Sequence, residues 1–313
     1  MSGITDLAFR LISRRFGAKL CFLEMLDAKA ILYNNPKNVR MIKTTEEDKP
    51  LAAQLVGTDP GQMLEAALKI LSSADIAFID INSACPAKKV IKKGAGAGLL
   101  KDPARLGKIV RKLSSGLKIP VTVKLRTGFY KKDAAECVKT AKIVQANGAS
   151  QVFIHGRTRA QGYSGEVDYE SIKAVKDALD IPVFASGNIF NHFLAKKMID
   201  ETGCDGILIA RGSLGNPWIF KDVEMGRAST PHLSEKIKTL KEHLDLIEKY
   251  SEMKVNSKIG FMGKVTMWYL KGLPLATRIR DRICKIKSYA QLTDFIDKQI
   301  NPCVLTADTD HSP

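Results

Sequence analysis

A thiol flanked by an amide and two lysines, in Asn82-Ser83-Ala84-Cys85-Pro86-Ala87-Lys88-Lys89, is the stretch of this 313-residue chain best equipped for chemistry. A cysteine can attack as a nucleophile, or give a proton to carbon while a cofactor supplies hydride. Lys88 and Lys89 would lower the thiol pKa if they stood close to it. A free cysteine is equally at home as a small buried hydrophobe, so this loop alone leaves the roles open. Pro86 stops the preceding apolar run, Ile76–Ile81, from continuing as strand and fixes the backbone just after the thiol.

Other polar residues close apolar runs in the same way. Lys124 ends Val121-Thr122-Val123, a fixed cation suited to an anionic ligand. His155 ends Val152-Phe153-Ile154 and is followed by Arg157 and Arg159, which together suit a ligand or a backbone phosphate. Gln54 offers a donor and an acceptor to the edge of a heterocycle. Two loops, Ala185-Ser186-Gly187-Asn188 and Ala210-Arg211-Gly212-Ser213, combine glycines that permit close approach with the fixed charge of Arg211. Such loops bind phosphate and imply a phosphorylated ligand such as a flavin mononucleotide.

These residues need a scaffold that brings strand ends together. Strand-like runs at Lys19–Glu24, Leu51–Val56, Ile76–Asn82, Val121–Arg126, Gln151–His155, Val183–Ser186 and Gly206–Ala210 alternate with helical patterns near Asp6–Phe16, Pro60–Ser72, Pro103–Leu113, Lys132–Asn147, Tyr169–Ala178, Phe190–Glu201 and Pro217–Gly226. Asp59-Pro60 and Asp102-Pro103 are helix starts. The alternation predicts an α/β protein, either a (β/α)8 TIM barrel or an open doubly wound sheet. The polar strand ends Gln54, Asn82, Lys124, His155, Asn188 and Arg211 favour the barrel, whose mouth gathers them at one site. Its first strand would be truncated or missing, because a helical pattern comes first.

After Gly226 the alternation ends. Leu240, Leu244, Ile247 and Tyr250 form one apolar stripe and Tyr289, Leu292, Phe295 and Ile296 another, which predicts a small helical domain. The expected organisation is a catalytic barrel over 1–231, helices over 232–305 and a disordered tail over 306–313. Net charge is +16, with +12 in the first region and +6 in the second. Such an excess favours a polyanionic partner, nucleic acid first and an anionic membrane surface second. Arg278–Lys287 carries the densest positive run, a solvated helix face or a phosphate-contacting surface. Six scattered cysteines without a CxxC argue against a local metal motif and for reduced thiols in a cytoplasm. No apolar run is long enough to span a membrane, and no signal peptide is expected.

Taken together, the motifs resemble the tRNA-dihydrouridine synthase family, most closely its B-type bacterial branch. The likeness runs from Met1-Ser2-Gly3-Ile4-Thr5-Asp6 through Asp80–Val90, Val121–Gly128, His155–Arg159 and Gly212–Phe220 to Trp268-Tyr269-Leu270-Lys271-Gly272. It implies a flavin-dependent oxidoreductase that uses bound FMN and NADPH to reduce the C5–C6 bond of specific uridines in tRNA. By the resemblance, Cys85 protonates C5, and Asn82, Lys88, Arg157 and Arg159 bind the substrate. Met1, Ser2, Gln54, Lys124, His155, Ser186, Gly187, Asn188, Ala210 and Arg211 would hold FMN. A flipped base and a basic RNA-gripping surface follow, on a protein without an obligatory protein partner, expected as a cytoplasmic monomer. The chain departs from the family pattern at Ala84, where a glycine is usual, at Ser186-Gly187-Asn188, which lacks an acidic residue, and at Met1, which falls inside the first motif. A dihydroorotate-dehydrogenase-like enzyme on a free pyrimidine and a non-catalytic tRNA-binding protein are the rival readings.

Overall fold

The computed structural model describes Met1, residues 3–272 and residues 276–300, with the side chains of 276–278 excepted. The ladder is parallel throughout: β1 (Cys21–Phe22), β2 (Leu26–Asp27), β3 (Leu51–Val56), β4 (Phe78–Asn82), β5 (Val121–Arg126), β6 (Gln151–His155), β7 (Val183–Ser186) and β8 (Gly206–Ile207). Both β1 and β2 pair with β3. Cys21 faces Leu51 but Leu26 faces Leu55, five residues advancing against four. They are therefore one strand broken by a bulge at residues 23–25, where Lys19–Glu24 was predicted to run unbroken. From β3 to β8 each strand pairs with the next, and among the described residues no ladder joins β8 back to β1.

The sheet is nonetheless curled into a TIM-type barrel. The rings of Phe22 on β1 and Phe153 on β6 lie 5.4 Å apart. In a flat sheet those strands, four ladder steps apart, would be separated by about 19 Å. Phe22, Phe78, Phe153 and Phe184 fill the lumen with Leu20, Ala52 and Leu208, a packed plug floored by both ends of the ladder.

Helices form the outer layer where the apolar spacing placed them. They include α1 (Leu7–Arg15), α2 (Ala28–Leu32), α3 (Pro36–Met41), α4 (Pro60–Leu71), α5 (Lys88–Ile91), α6 (Pro103–Gly116), α7 (Ala134–Ala146), α8 (Tyr169–Ala178), α9 (His192–Thr202) and α10 (Ile219–Met225). Asp59 and Asp102 cap their helices through Gln62 N and Arg105 N. The short α2, α3 and α5 were not predicted. At four to six residues they are too short to display a helical period.

Beyond α10 come α11 (Leu233–Tyr250), α12 (Val255–Tyr269), α13 (Ala276–Ile283) and α14 (Tyr289–Phe295). Their core is continuous with Leu7, Ala8, Leu11 and Ile12 of α1 and with Trp218. Helix α1 is thus shared between barrel and helical segment. Its Arg10 guanidinium, buried, donates to Asp48 at 2.8 Å and to the carbonyls of Thr5 and Lys43. Gly215, after the last strand, adopts φ +65°, and a Cβ there would come 2.2 Å from the Trp268 carbonyl carbon. Only glycine admits this approach of the loop to the end of α12. Residues 301–305 and the tail 306–313 lie outside the described residues.

Removing the lumen ring in Phe153→Ala leaves a cavity that the surrounding barrel wall cannot close, and is expected to lower stability by about 3–5 kcal/mol. Chemical denaturation measures it. A loss below about 1 kcal/mol would mean that Phe153 is not the centre of the plug.

Candidate functional site

The cysteine loop is positioned by a hydrogen-bond relay that begins in the barrel wall. Asp80, fully buried on β4, accepts from Thr122 Oγ1 at 2.7 Å and from Gln54 Nε2 at 2.6 Å. Gln54 then has only its carbonyl left on that side, and accepts from Asn82 Nδ2 at 2.7 Å. Asn82 in turn presents Oδ1 to the backbone N–H groups of Ala84 (3.1 Å) and Cys85 (2.8 Å). A carboxylate can only accept, so the ionised acid fixes the direction of both amides in series. Burial pushes Asp80 up to about 6, against the hydrogen bonds from Gln54 and Thr122 and the field of Lys124.

Arg126, the last residue of β5, clamps the same loop from the other side. Its Nε donates to Ala84 O at 2.7 Å, and Nη1 donates to Thr158 O (2.9 Å) and Gly162 O (3.0 Å). Ser83 N donates to Lys124 O and Ala97 N to Cys85 O. Every peptide around the thiol is therefore tied, while Cys85 itself stays half-exposed. Ala84 has an ordinary negative φ, since Asn34 and Asn188 are the only non-glycine residues described with positive φ. Alanine in place of glycine costs no backbone strain here.

The strand ends beyond the cysteine form a cationic wall. Lys124 Nζ reaches Ser186 Oγ at 3.4 Å. Burial pulls this lysine down to about 8, opposed by Asp80 and reinforced by Arg126. His155 is held down at about 2, first by burial and then by Arg126, Lys124, Arg157 and Arg211, so its imidazole is neutral. Four buried polar atoms on these consecutive loops lack a protein partner: Ser83 Oγ, Thr127 Oγ1, His155 Nδ1 and Arg157 Nη1. Buried polar groups are normally satisfied, so orphans gathered around excess positive charge fit an anionic group with hydrogen-bonding edges. The expected phosphorylated flavin has those properties.

The structure brings some of the predicted residues together and leaves others apart. Gln54, Asn82, Cys85, Lys124, His155 and Ser186 are brought together. Gly187 and Asn188 follow Ser186, Asn188 in the left-handed region, and its Oδ1 accepts from Arg211 Nη2 at 3.0 Å. Arg211 and Ala210 are exposed at the rim. Gly212 does not open a path for phosphate. A Cβ there would lie 2.1 Å from Ile189 O, so its glycine serves loop packing. Arg157 is 1% exposed and spends Nε and Nη2 on the carbonyls of Ser164 and Gly165, which leaves only Nη1 for a ligand. Met1 donates from its ammonium group to Thr5 Oγ1 at 2.7 Å, and burial lowers that group to about 6. Ser2 lies outside the described residues.

Three residues were not singled out: Asp80, Arg126 and Tyr163. An acid and an arginine inside apolar strands were the available signals for the first two. Tyr163, exposed on the loop after β6, sits under Arg211 (5.0 Å) and Arg126 (6.0 Å) and edge-on to His155. No spacing in the sequence marks that convergence.

The mouth is ringed by further positive charge. Lys88, Lys89, Lys92, Lys101, Lys131 and Lys132 are exposed on the loops after β4 and β5, and none makes an ion pair among the described residues. Lys264, Lys271, Arg280, Arg282, Lys285 and Lys287 of the helical segment are likewise exposed and unpaired among the described residues. The described residues contain no cluster of metal-ligating side chains and no helix long and apolar enough to cross a membrane.

Comparison with known proteins bears on the family and the fold. The family model described as "Dihydrouridine synthase (Dus)" matches residues 1–303. The tRNA-dihydrouridine synthase B of Pasteurella multocida is 38% identical over 87% of this chain and 82% of its own length. That of Pseudomonas aeruginosa is 37% identical over 92% and 87%. A probable tRNA-dihydrouridine synthase of Rickettsia conorii is 35% identical over 90% and 86%. Among solved structures, histamine dehydrogenase from Rhizobium sp. 4-9 superposes with a TM-score of 0.56 at 12% identity, over 78% of this chain and 47% of that one. An amine oxidase from Pseudomonas geniculata N1 gives 0.55 at 12%, over 70% and 44%. The chain spans about half the length of these two, and they bear on the fold alone.

The relay makes a prediction. Asp80→Asn replaces an obligate acceptor with a group that can also donate, so the Gln54 and Asn82 amides lose their fixed sense. Stability is expected to fall by about 1–3 kcal/mol, and Cys85 is expected to alkylate faster, as mapped by peptide mass spectrometry. Unchanged Cys85 labelling would show that the relay does not hold the loop.

Proposed function

The chain belongs to the dihydrouridine synthase family, and on that premise we propose that it reduces the C5–C6 double bond of uridine in tRNA, with FMN as bound cofactor and NADPH as reductant. The observation that carries this reading is the tied, half-exposed Cys85 beside a cationic wall containing a neutral histidine. FMN, when bound, supplies hydride to C6. Lys124, His155, Ser186, Asn188 and Arg211 are the residues suited to hold it, the cations toward its phosphate and Gln54 toward a ring edge.

The remaining chemistry falls to the chain's own side chains. Cys85 Sγ holds the proton delivered to C5, and the hydrogen bonds to its loop limit where that proton can go. Asn82 commits Oδ1 and one Nδ2 hydrogen to the relay. Its second Nδ2 hydrogen remains to donate to a pyrimidine carbonyl. Reaching the mouth requires the uridine to leave its stack, at a cost of a few kcal/mol that the basic rim and helical segment offset by gripping phosphates. In this reading residues 1–231 are the catalytic unit and 232–305 the tRNA-binding one. Lys88 and Arg159 at the rim contact RNA rather than the reacting base. The described cysteines are all free thiols, which suits a cytoplasmic enzyme. A free-pyrimidine reductase would leave the basic rim without purpose.

Dihydrouridine mapped in tRNA from cells with and without the gene tests the activity. At least one position is expected to revert to uridine in its absence, and loss of none would sink the proposal. Cys85→Ala is expected to keep flavin and tRNA affinity while turnover drops about 10²- to 10⁴-fold. A wild-type single-turnover rate in that variant would remove the thiol from the mechanism.

Lys124 carries a charge below about 8 and loses it above. Affinity of the apoprotein for FMN is therefore expected to hold at pH 7 and weaken as pH rises through 8. Lys124→Met should bind more weakly at pH 7 and show no such step in a fluorescence titration; a step that persists in the variant belongs to another group.

A further inference from the structure

Beside the catalytic mouth the structure builds a second aromatic feature that neither the thiol nor the cofactor wall requires. Phe129 and Tyr130, on the loop after β5, pack edge to face with centroids 4.6 Å apart. Lys101 Nζ stands 5.0 Å from the Phe129 ring and 5.7 Å from the Tyr130 ring, and Arg159 lies 5.2 Å over Phe129 from the loop after β6. Three loops thus contribute to one cluster. Tyr130 is 68% exposed.

The cluster is rigidly seated. Arg159 N donates to Gly128 O at 2.9 Å and Ala160 N to Phe129 O at 3.0 Å, which ties the two loops together. Arg126, which clamps the cysteine loop, precedes Phe129 by three residues, so the two Cα atoms are at most about 11 Å apart. Charge around the ring is one-sided. Lys101, Lys131, Lys132 and Arg159 make no ion pair among the described residues, and the acids beside Lys101 and Lys132 in sequence are engaged elsewhere: Asp102 with Arg105, and Asp133 in capping α7. An exposed ring backed by two cations and flanked by two more is complementary to an unstacked base and its adjoining phosphates.

We propose that Phe129 and Tyr130, with Lys101 and Arg159, form a nucleotide-stacking subsite for RNA at the rim of the mouth. It takes the base of a nucleotide near the target uridine: Tyr130 stacks on the base, and Lys101 and Arg159 hold phosphate. The proposal rests on the tRNA reading above and assigns it a specific contact. Because an aromatic face accepts any base, the subsite secures the displaced strand without selecting sequence.

The test is binding of unmodified tRNA to the flavin-loaded enzyme by fluorescence anisotropy at several salt concentrations. Four variants are compared with the wild type: Tyr130→Ala, Tyr130→Leu, Tyr130→Phe and Lys101→Gln. Tyr130→Ala and Tyr130→Leu are expected to bind about ten-fold or more weakly, with the salt dependence unchanged, and Tyr130→Phe to bind as the wild type. Lys101→Gln should reduce the slope of log K against log salt by about one. Equal affinity in Tyr130→Ala, or retained affinity in Tyr130→Leu, overturns the stacking subsite. A raised KM for NADPH with tRNA affinity intact overturns it too, assigning the ring to the dinucleotide. If wild-type enzyme binds no tRNA, the functional reading itself fails, which is a distinguishable result.

Discussion

A buried carboxylate that can only accept hydrogen bonds is the constraint from which the site follows. Asp80 has no solvent and no direct ion pair. Thr122 and Gln54 are its hydrogen-bond donors. Because it cannot donate when ionised, Gln54 must turn its N–H toward it and its carbonyl away, and Asn82 must answer in kind. The relay ends on the two peptide N–H groups that frame the thiol. Burying an acid is costly, as its rise to about 6 records. What that cost secures is a loop whose orientation is dictated by the barrel wall instead of by its own flexible sequence.

The same barrel wall accounts for the electrostatics. Lys124 is one register step from the relay, opposite Asn82 on the β4–β5 ladder, so Asp80 and Lys124 share one poorly solvated volume. Each partly sustains the other's charge. Farther round, His155 is kept neutral first by its burial and then by Arg126, Lys124, Arg157 and Arg211, four cations beside which a fifth positive charge would be unsupported. A neutral histidine amid cations can both donate and accept a hydrogen bond while the cations bind the anion. This division suits a ligand that carries a phosphate at one end and a polar heterocycle at the other.

Much of the fold was legible because its elements are long and its strands apolar. Leu51–Val56, Val121–Arg126, Gln151–His155 and Val183–Ser186 fall where the hydrophobic pattern put them, and Asp59 and Asp102 cap the helices they announce. The break between β1 and β2 was not legible, since a bulge is a register relation with a partner strand and leaves no periodic trace. Among the site residues, those at strand ends could be picked out because a barrel gathers strand ends. Arg157 and Gly212 mark the limit of that reasoning. Both follow a strand, but Arg157 turns back to hold its own loop and Gly212 fits against Ile189, and residue type does not reveal which way a loop residue faces. Asp80 and Arg126 were missed for the converse reason, that their work is done on other residues of the site.

Helix α1 decides how far the two parts of the molecule act as one body. Its inner face supplies Leu7, Ala8, Leu11 and Ile12 to the helical core, while its buried Arg10 is anchored to Asp48 and to the Lys43 carbonyl on the barrel side. Separating the helices from the barrel would expose the apolar face and leave Trp218, which donates to Glu235 of α11, without its partner. The contact of Gly215 with the end of α12 and the ion pair of Lys43 with Glu252 join them at two further points. Cations on the helices and cations on the barrel rim therefore keep a fixed relation to Cys85. In the proposed reaction on one nucleotide of a large, rigid polyanion, that fixed relation would select the position presented to the thiol: the phosphates would register the RNA on the surface, and the mouth would receive only the base that this register delivers.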